Sequence, residues 1–341
     1  MSISSADDRV TIVDVASRAG VAVSTASKAL NGRGQLRAET RQRVIAAAEE
    51  LGFQANVFAR SLLSGRSYSV GLLTSDRVGR FSVPVLSGVE DALGAGKILV
   101  YLCDARGDSI REQHYVRTLL TRKTDGIIVT AERTDPRPPV SVERPLPVVY
   151  AYSQSERPED ISVIPDDRQG ATLVTRHLVE SGRRRIGHIT GPGWFAIHER
   201  AAGFRSVLDE AGLEIAGGGV LAGDWSEAWG RQAADILLRR DPRLDAIVCG
   251  TDQIARGVME TLRDHGRRVP DDVALTGFDN WETLVTGCRV PLTSVDFGLP
   301  ELGRYAAGLL LAAMDGQAEP GVHRLPCRLV VRESTGPVAP S

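Results

Sequence analysis

Apolar and polar residues alternate with the period of a helix in three short segments near the start of the chain. In the first, TIVDVASRAG, Thr11 is suited to be the N-cap and Gly20 to end the helix. The same pattern predicts two more helices, over residues 23–30 and 38–51. Two helices joined by a tight turn and braced by a third are typical of a helix-turn-helix module.

From Tyr68 onward the pattern changes to apolar runs that alternate with helix-length segments. The runs are YSVGLL, ILVYLC, GIIVTA, PVVYAY, RIGHIT, AIVCGT, VALTGF and LVVRES. Amphipathic segments such as GATLVTRHLVESG and IARGVMETLRDHG lie between many of them. Buried strands separated by helices predict doubly wound parallel sheets, and residues 68–341 suffice for two such lobes. The proline-rich stretch TDPRPPVSVERPLP is expected to be a surface loop.

Composition places the chain among globular proteins. Hydrophobic residues make up 42% of it and charged residues 25%. The start, MSISSADDRV, lacks the pattern of a signal peptide, and no apolar run approaches the roughly 20 residues that span a bilayer. We therefore expect a cytoplasmic protein. Four well-separated cysteines without a CxxC pair predict reduced structural thiols, with no metal site and no cofactor.

The net charge of −2 hides an asymmetry along the chain. Residues 9–66 carry nine Arg or Lys against four acids, a net charge of +5. With Asp7 and Asp8 included, residues 1–66 total +3 and the remaining chain −5. A basic small domain on an acidic body is the distribution that a DNA contact surface requires, because neutralising phosphates supplies much of the binding free energy.

Three segments, TIVDVASRAGVAVSTASKALNG, ETRQRVIAAAEELGF and NVFARSLLSGRSYSVGLL, resemble the LacI/GalR family of bacterial transcription regulators. The resemblance continues through GDWS, TDQIARGVM, VALTGFDN, VPLTSV and LVVREST. It implies an α/β protein with an all-α helix-turn-helix headpiece that reads DNA. The implied body is similar to periplasmic binding proteins and has two doubly wound parallel-sheet lobes that close on an effector.

The resemblance also divides the chain. It implies a headpiece over residues 9–54, a hinge helix and linker over 55–67, and an effector-binding and dimerisation body over 68–341, with the chain crossing between lobes near 165, 294 and 324. A hinge helix of about eight residues is marginal in water, so we expect it to order only on DNA. Leu62 matches the family's minor-groove wedge, although taken alone it would be a core residue.

A recognition helix reads bases in the major groove through side chains near its N-terminus. The resemblance implies that Val23, Ser24 and Lys28 do so here, while other polar residues contact phosphates or support the helix. Taken singly, each is an ordinary exposed helix residue. The implied DNA-contacting set is Thr11, Val23, Ser24, Thr25, Ser27, Lys28, Asn31, Arg60 and Leu62.

Two headpiece positions depart from the family pattern. Ala22 stands where a serine commonly caps the recognition helix, and Arg37 where a serine commonly caps the third helix. Loss of an N-cap hydroxyl costs on the order of 1 kcal/mol. We therefore expect a headpiece of reduced stability, unless Arg37 gains a phosphate contact instead.

Ligands of open α/β sheets bind beyond the carboxyl ends of the strands. Trp194, Trp225 and Trp281 follow apolar runs, and such rings stack on the apolar face of a sugar. The resemblance adds Arg200 and Asp279 as polar contacts. The expected effector set is Phe81, Ser82, Val85, Trp194, Arg200, Trp225, Thr251 and Asp279. Tyr152, Thr251 and Phe297 replace hydrogen-bonding groups common in the family, which predicts a more aromatic pocket.

The sequence thus predicts a homodimeric, effector-responsive repressor that binds a near-palindromic double-stranded operator, with a sugar or oligosaccharide as effector. An activator or dual regulator that responds to a nucleoside is the alternative, and a sugar-binding transport protein is a further one. No HExxH spacing or GxSxG elbow supports an enzyme. No heptad segment follows LVVREST, which disfavours a tetramer.

Overall fold

The structure is a computed structural model that describes residues 10–30, 34–53, 65–76, 79–94, 97–193 and 195–336. The chain divides into two units, Met1–Ser67 and Tyr68–Ser341. Each unit has a hydrophobic core of its own, which is typical of separate domains.

The described part of the first unit contains three helices, α1 Ile12–Ala19, α2 Val23–Leu30 and α3 Ala38–Glu50. These bounds confirm the predicted helices, with α3 ending one residue early. The Asp14 carboxylate accepts hydrogen bonds from the N–H and the hydroxyl of Thr11, at 2.8 and 2.7 Å, which stabilises the start of α1. Gly20 ends α1 in the left-handed conformation, with φ of 63°.

Small side chains form the core of this unit. The buried residues are Val15, Ala16, Ala19, Ala26, Ala29, Val44, Ala47 and Ala48. Because most are alanines, the three helices can approach one another closely. Arg43 Nε donates to the carbonyl of Ala19 at 2.9 Å, which joins α3 to the end of α1. Arg37 is the N-cap of α3, and its side chain makes no capping hydrogen bond.

The first lobe of the second unit is built on a six-stranded sheet. Its strands are β1 Ser69–Thr74, β2 Leu99–Asp104, β3 Gly126–Thr130, β5 Val148–Ala151, β7 Ile161–Pro165 and β13 Gly321–Leu325. Their spatial order is β13-β7-β5-β3-β1-β2, and all neighbours are parallel. The helices of this lobe are α4 Ser82–Ala92, α5 Ser109–Thr121 and α11 Leu299–Met314. Two short strands, β4 Pro136–Arg137 and β6 Gln154–Ser155, pair separately.

The second lobe repeats this arrangement. Its strands are β8 Ile186–Thr190, β9 Leu221–Ala222, β10 Ala246–Cys249, β11 Ala274–Phe278, β12 Thr293–Asp296 and β14 Arg328–Val330, in the spatial order β14-β12-β11-β10-β8-β9. Its α-helices are α6 Asp167–Glu180, α7 Phe195–Glu210, α8 Glu227–Arg240, α9 Asp252–Asp264 and α10 Glu282–Val285. Two 3₁₀ turns, Ala216–Gly218 and Glu333–Thr335, complete its described part.

The chain passes between the two lobes at the end of a strand each time. It leaves the first sheet after β7, returns after β12 to form α11 and β13, and enters the second sheet again at β14. In the first lobe α11 packs against α4 so closely that a Cβ on Gly303 would meet the carbonyl oxygen of Val85. The three connections between the lobes are therefore short segments between consecutive elements.

The predicted fold class is confirmed, with one local exception. Each of the eight apolar runs overlaps a strand, although LVVRES shares only its first two residues with β14, and the two amphipathic segments lie mostly in α6 and α9. The exception is the edge strand β14, which pairs antiparallel with β12. The four cysteines are buried free thiols. Across the described ranges, no helix has both the length and the apolarity needed to cross a membrane.

Candidate functional sites

Helix α2 has one buried and one exposed face. Ala26 and Ala29 pack into the core of the three helices. Val23, Ser24 and Lys28 are exposed, with Val23 43% exposed despite its apolar side chain. The exposed face therefore carries an apolar side chain and a hydroxyl in the first turn of the helix and the Lys28 cation in its last turn. These are groups that base edges and phosphates bind.

The start of α2 relies on backbone hydrogen bonds. The carbonyl of Ala22 accepts from the N–H groups of Thr25 and Ala26, at 2.8 and 3.0 Å. The Ala22 side chain offers no acceptor for the first orphan N–H groups of the helix. Thr11 lies on the surface at the start of α1, where its hydroxyl donates to Asp14. Three predicted DNA contacts lie outside the described residues: Asn31, Arg60 and Leu62.

A cavity of about 460 Å³ opens between the two lobes of the second unit. Its wall is formed by loops that follow the carboxyl ends of β1, β3 and β5 in the first lobe and of β8 to β11 in the second. First-lobe residues on the wall include Asp76, Arg80, Phe81, Thr134, Asp135 and Tyr152. Second-lobe residues include Arg200, Trp225, Thr251, Gln253, Asp279 and Trp281.

An ion pair joins the two lobes across this cavity. The Arg80 guanidinium binds the Asp279 carboxylate, and its Nη1 donates to Gln253 Oε1 at 3.3 Å. The guanidinium carbon lies 5.0 and 4.8 Å from the ring centres of Phe81 and Trp281. Burial lowers the pKa of Arg80 from its ordinary value. The Arg80 side chain is thus held by groups from both lobes.

The backbone aims Asp279 into the cavity. Asp279 has φ of 98°, a conformation that non-glycine residues adopt at a cost, and its N–H donates to the carbonyl of Val295 at 2.9 Å. The next residue, Asn280, is also left-handed, with φ of 51°. Strained backbone of this kind concentrates at binding sites, where the surrounding structure maintains it.

A second arginine, Arg200 on α7, is fixed before any ligand binds. Its Nε donates to Asp167 Oδ1 at 2.7 Å and its Nη1 to the carbonyl of Gly250 at 2.8 Å. The guanidinium carbon lies 4.4 and 5.3 Å from the ring centres of Phe278 and Phe297. Arg200 therefore presents a preorganised cation to the cavity, and Phe297 supports it from behind.

Aromatic rings form the apolar part of the wall. Phe81 stacks on Tyr152 with 4.5 Å between ring centres and an interplanar angle of 14°. Trp225 packs so closely on Gly191 that no side chain could be accommodated there. Burial raises the pKa of Tyr152, so its hydroxyl stays neutral and can donate a hydrogen bond.

Five residues of the predicted effector set line the cavity: Phe81, Arg200, Trp225, Thr251 and Asp279. The Thr251 hydroxyl is also the N-cap of α9, because it accepts from the N–H of Ile254 at 3.2 Å. Ser82 and Val85 lie behind the wall: the Ser82 hydroxyl donates to Asp76 at 3.1 Å, and Val85 is buried against α11. Trp194 lies outside the described residues. Ligand contact by any of these residues stays a prediction.

The pattern of the sequence misses several wall residues. The proline-rich stretch predicted to be a surface loop begins with Thr134 and Asp135, which line the cavity. That prediction is wrong at Pro136 and Arg137, which form strand β4. Asp135 Oδ1 accepts from the N–H of Phe195 at 2.7 Å, at the start of α7 in the other lobe. These wall residues could have been found from their positions in the chain. Thr134 and Asp135 follow the carboxyl end of β3, and Arg80 follows that of β1, where ligands of such sheets bind.

A buried carboxylate supports the wall from the second lobe. Asp252 Oδ1 accepts from the Ser294 hydroxyl at 2.6 Å, and its Oδ2 accepts from the N–H of Trp281 at 2.8 Å. Burial raises the pKa of Asp252 to about 7, although both hydrogen bonds act in the opposite direction. Asp252 thereby fixes the loop that carries Asp279 and Trp281.

Known proteins resemble both units. Residues 11–56 match a profile described as bacterial regulatory proteins, lacI family, and residues 175–335 match a periplasmic binding protein-like domain. Catabolite control protein A of Priestia megaterium is 32% identical over 330 residues, which cover 96% of this chain and 99% of that protein. The chain belongs to the LacI family of bacterial regulatory proteins. It is a DNA-binding transcriptional regulator and not an enzyme, as predicted.

Other LacI-family members match over nearly the whole chain. The transcriptional regulator CelR of Thermobifida fusca is 34% identical over 337 residues, covering 96% of this chain and 98% of that protein. A solved complex of CelR with cellobiose has a TM-score of 0.64 at 30% identity, covering 96% of this chain and all of that one. The lac repressor dimer, bound to operator and the anti-inducer ONPF, has a TM-score of 0.70 at 27% identity, covering 97% of this chain and all of that one.

Proposed function

We propose that the protein is a homodimeric repressor whose binding to a near-palindromic operator is controlled by a sugar or oligosaccharide in the inter-lobe cavity. The cavity carries this proposal. Its volume of about 460 Å³ lies within the range of small-molecule sites, and its wall combines stacking rings with carboxylates and the fixed guanidinium group of Arg200. Rings bind the apolar face of a pyranose, while charged planar groups bind its hydroxyls.

Relatives support the same function. CelR, which has been solved with cellobiose, and the lac repressor, which has been solved as a dimer on its operator, share the fold of this chain at 30% and 27% identity. Two copies of one headpiece match the two half-sites of a near-palindrome, since protein symmetry follows DNA symmetry. A regulator of this kind acts on chromosomal DNA, and we therefore assign it to the cytoplasm.

For DNA recognition we propose the headpiece over residues 9–54 and the hinge and linker over 55–67. The exposed face of α2 supports this, because it carries an apolar side chain and a hydroxyl in the first turn and the Lys28 cation in the last. The proposed contacts are Thr11, Val23, Ser24, Thr25, Ser27, Lys28, Asn31, Arg60 and Leu62. Lys28 is the residue from which we expect the largest loss of specific affinity, because it can donate to guanine O6 or N7.

A nucleoside effector is the second candidate. The stacked pair of Phe81 and Tyr152 favours it, because a flat ring pair binds a nucleobase as well as a pyranose. The cavity carboxylates favour the sugar, since a pyranose offers several hydroxyl donors to them. The two effector classes are therefore distinguishable by a direct binding screen.

The test is a thermal-shift screen of mono- and oligosaccharides, with nucleosides included. A true effector stabilises the folded state by RT ln(1 + L/Kd), where L is its free concentration, so Tm continues to rise with the logarithm of L once the site is saturated. Each hit is then retested for its effect on binding to DNA selected from a random pool. Lys28→Ala is the control, because it should lose specific DNA binding and keep the full Tm shift. A Tm shift with nucleosides and with none of the sugars would contradict the proposed effector.

A further inference from the structure

The Arg80 side chain fills a slot in the effector cavity. The slot offers two acceptors, the Asp279 carboxylate and Gln253 Oε1, and two rings, those of Phe81 and Trp281, which lie on the guanidinium within 5.0 Å. A pyranose also binds to hydrogen-bond acceptors along the edge of its ring and to aromatic rings on its faces. Arg80 therefore occupies, from within the chain, a place that suits an external ligand.

The guanidinium is incompletely satisfied in this slot. Arg80 Nε is buried and has no hydrogen-bond partner among the residues that the structure describes. A buried donor without an acceptor costs free energy, because in water every guanidinium N–H is hydrogen-bonded. Burial also lowers the pKa of Arg80, because desolvation disfavours the charged form. Withdrawal of the side chain into solvent would recover these costs.

Hydrogen bonds fix the backbone on each side of the slot, so the Arg80 side chain can leave without a change in either segment. Asp76 Oδ2 accepts from the N–H groups of Phe81 and Ser82, at 2.7 and 2.9 Å, which fixes the backbone on one side of Arg80. Across the cavity, the strained backbone of Asp279 is held by its hydrogen bond to Val295. The flexible stem of Arg80 is thus the movable part.

We propose that Arg80 is an internal competitor that an effector must displace from Asp279, and that it thereby determines which ligands the cavity accepts. This inference rests on the proposed function of the cavity as the effector site. The replacing group has to satisfy the Asp279 carboxylate and stack on the rings. A neutral sugar with adjacent hydroxyl groups does both.

An anionic ligand does not fit the vacated slot. Once Arg80 has left, Asp279 has lost its cation, and the wall keeps further acids. The remaining wall acids are Asp76, Glu132, Asp135 and Asp224, against Arg133 and Arg200. Coulomb repulsion therefore disfavours sugar acids and sugar phosphates. Displacement of Arg80 also breaks the ion pair between the lobes, which couples ligand entry to lobe geometry.

The first experiment needs no knowledge of the effector. In Arg80→Ala the slot is vacated, and N-ethylguanidinium chloride at millimolar concentration is the probe, because it carries the missing group. We expect a saturable change in tryptophan fluorescence and a rise in Tm in Arg80→Ala. Both should be at least fivefold weaker in the wild type, and absent in Arg80→Ala/Asp279→Asn. Equal responses in the wild type and Arg80→Ala, or no response in Arg80→Ala, would overturn the proposal.

Two variants control this experiment. Arg117→Ala makes the same substitution at an exposed arginine of α5, 3.6 Å from Glu143, and should respond to N-ethylguanidinium like the wild type. Arg80→Met keeps the length of the stem without the guanidinium and should bind the probe as Arg80→Ala does, or more weakly where its stem fills the slot. If Arg80→Ala proves unstable, Arg80→Ser, which also vacates the slot, decides the outcome by the same criteria.

The second experiment measures cellobiose by titration calorimetry. Removal of a competitor should tighten cellobiose binding about tenfold. This factor is expected if Arg80 has left the slot in about one wild-type molecule in ten. Glucuronate should bind neither protein. Weaker cellobiose binding by Arg80→Ala would make Arg80 a ligand contact and overturn the proposal. If neither protein binds any sugar, the proposed effector class fails, while the N-ethylguanidinium experiment still decides whether Arg80 occupies a ligand slot.

Discussion

Arg200 and Asp167 form an ion pair that is almost entirely removed from solvent. Arg200 Nε lies 2.7 Å from Asp167 Oδ1, and their side chains are 6% and 1% exposed. Burial raises the pKa of Asp167, and the adjacent guanidinium acts in the opposite direction. Neither charge can be lost alone without leaving the other uncompensated in a region of low dielectric constant.

Asp167→Ala should therefore destabilise the second unit strongly. Removal of one partner of a buried ion pair costs about 3–5 kcal/mol, because the remaining cation keeps its desolvation penalty. Urea unfolding measures this loss in the free energy of unfolding. Glu260→Ala is the matched control, since Arg231 lies 2.8 Å from Glu260 but the side chains are 46% and 40% exposed. We expect it to cost less than about 1 kcal/mol. Equal losses in the free energy of unfolding for the two variants would contradict this prediction.

The sequence predicts those parts of the fold that depend on local pattern. Helix α2 begins and ends as predicted because Ala26 and Ala29 recur at helical spacing and a glycine follows soon after Leu30 in the sequence. Arg200 and Asp279 could be placed in the cavity because each matches a family position. The antiparallel pairing of β14 with β12 could not be predicted, since it depends on where the chain returns from the other lobe.

At the site, the sequence does not predict which residues far apart in the chain come into contact. Arg80 and Asp279 are separated by 199 positions, and nothing near Arg80 indicates that its guanidinium meets a carboxylate of the other lobe. Ser82 illustrates the opposite case. Its position favours a ligand contact, but its hydroxyl donates to Asp76, which fixes the turn before α4 instead.

Asp252 should make stability depend on pH between about 4 and 7. Its pKa in the folded protein is about 7, above the ordinary value of an aspartate, so the folded state holds a proton that the unfolded state has released. Relative to Asp252→Asn, the wild type should lose stability as the pH rises through this interval, by up to about 1.4 kcal/mol per pH unit. Above pH 7 the difference should stay constant.

Urea unfolding at several pH values checks this dependence. Asp272→Asn is the control, because a hydrogen bond from Arg268 lowers the pKa of the exposed Asp272 carboxyl, so its contribution should be lost only below pH 4. A constant difference between the wild type and Asp252→Asn from pH 5 to 7 would show that Asp252 is ionised throughout.

Ala22→Ser should stabilise the headpiece. A serine at this N-cap position can accept from the N–H of Ser24 or Thr25, where alanine offers no acceptor, and such caps contribute on the order of 1 kcal/mol. Thermal unfolding of the full chain should show a higher Tm for the transition of the first unit. Ser17→Ala serves as a comparison at an exposed position inside α1, where no N-cap is affected. An unchanged transition in Ala22→Ser would indicate that other groups already satisfy these N–H groups.

The edge strand β2 should contribute to a homodimer interface. It forms one end of the first sheet, and its Leu99 and Leu102 are 57% and 51% exposed. Exposed apolar residues on a sheet edge favour association, and a second copy of this chain is the occupant that the proposed dimer supplies. Leu102→Glu should therefore shift the protein toward monomer in sedimentation velocity. Because one headpiece then reads one half-site, operator affinity should fall as well.

Ile110→Glu separates this effect from a general response to added charge. Ile110 is 79% exposed near the start of α5, so the substitution introduces the same group at a residue that is even more accessible. We expect this variant to remain dimeric, with unchanged operator affinity at matched salt concentration. If Leu102→Glu also remained dimeric, another surface would have to hold the two copies together, and the exposure of β2 would need a different partner.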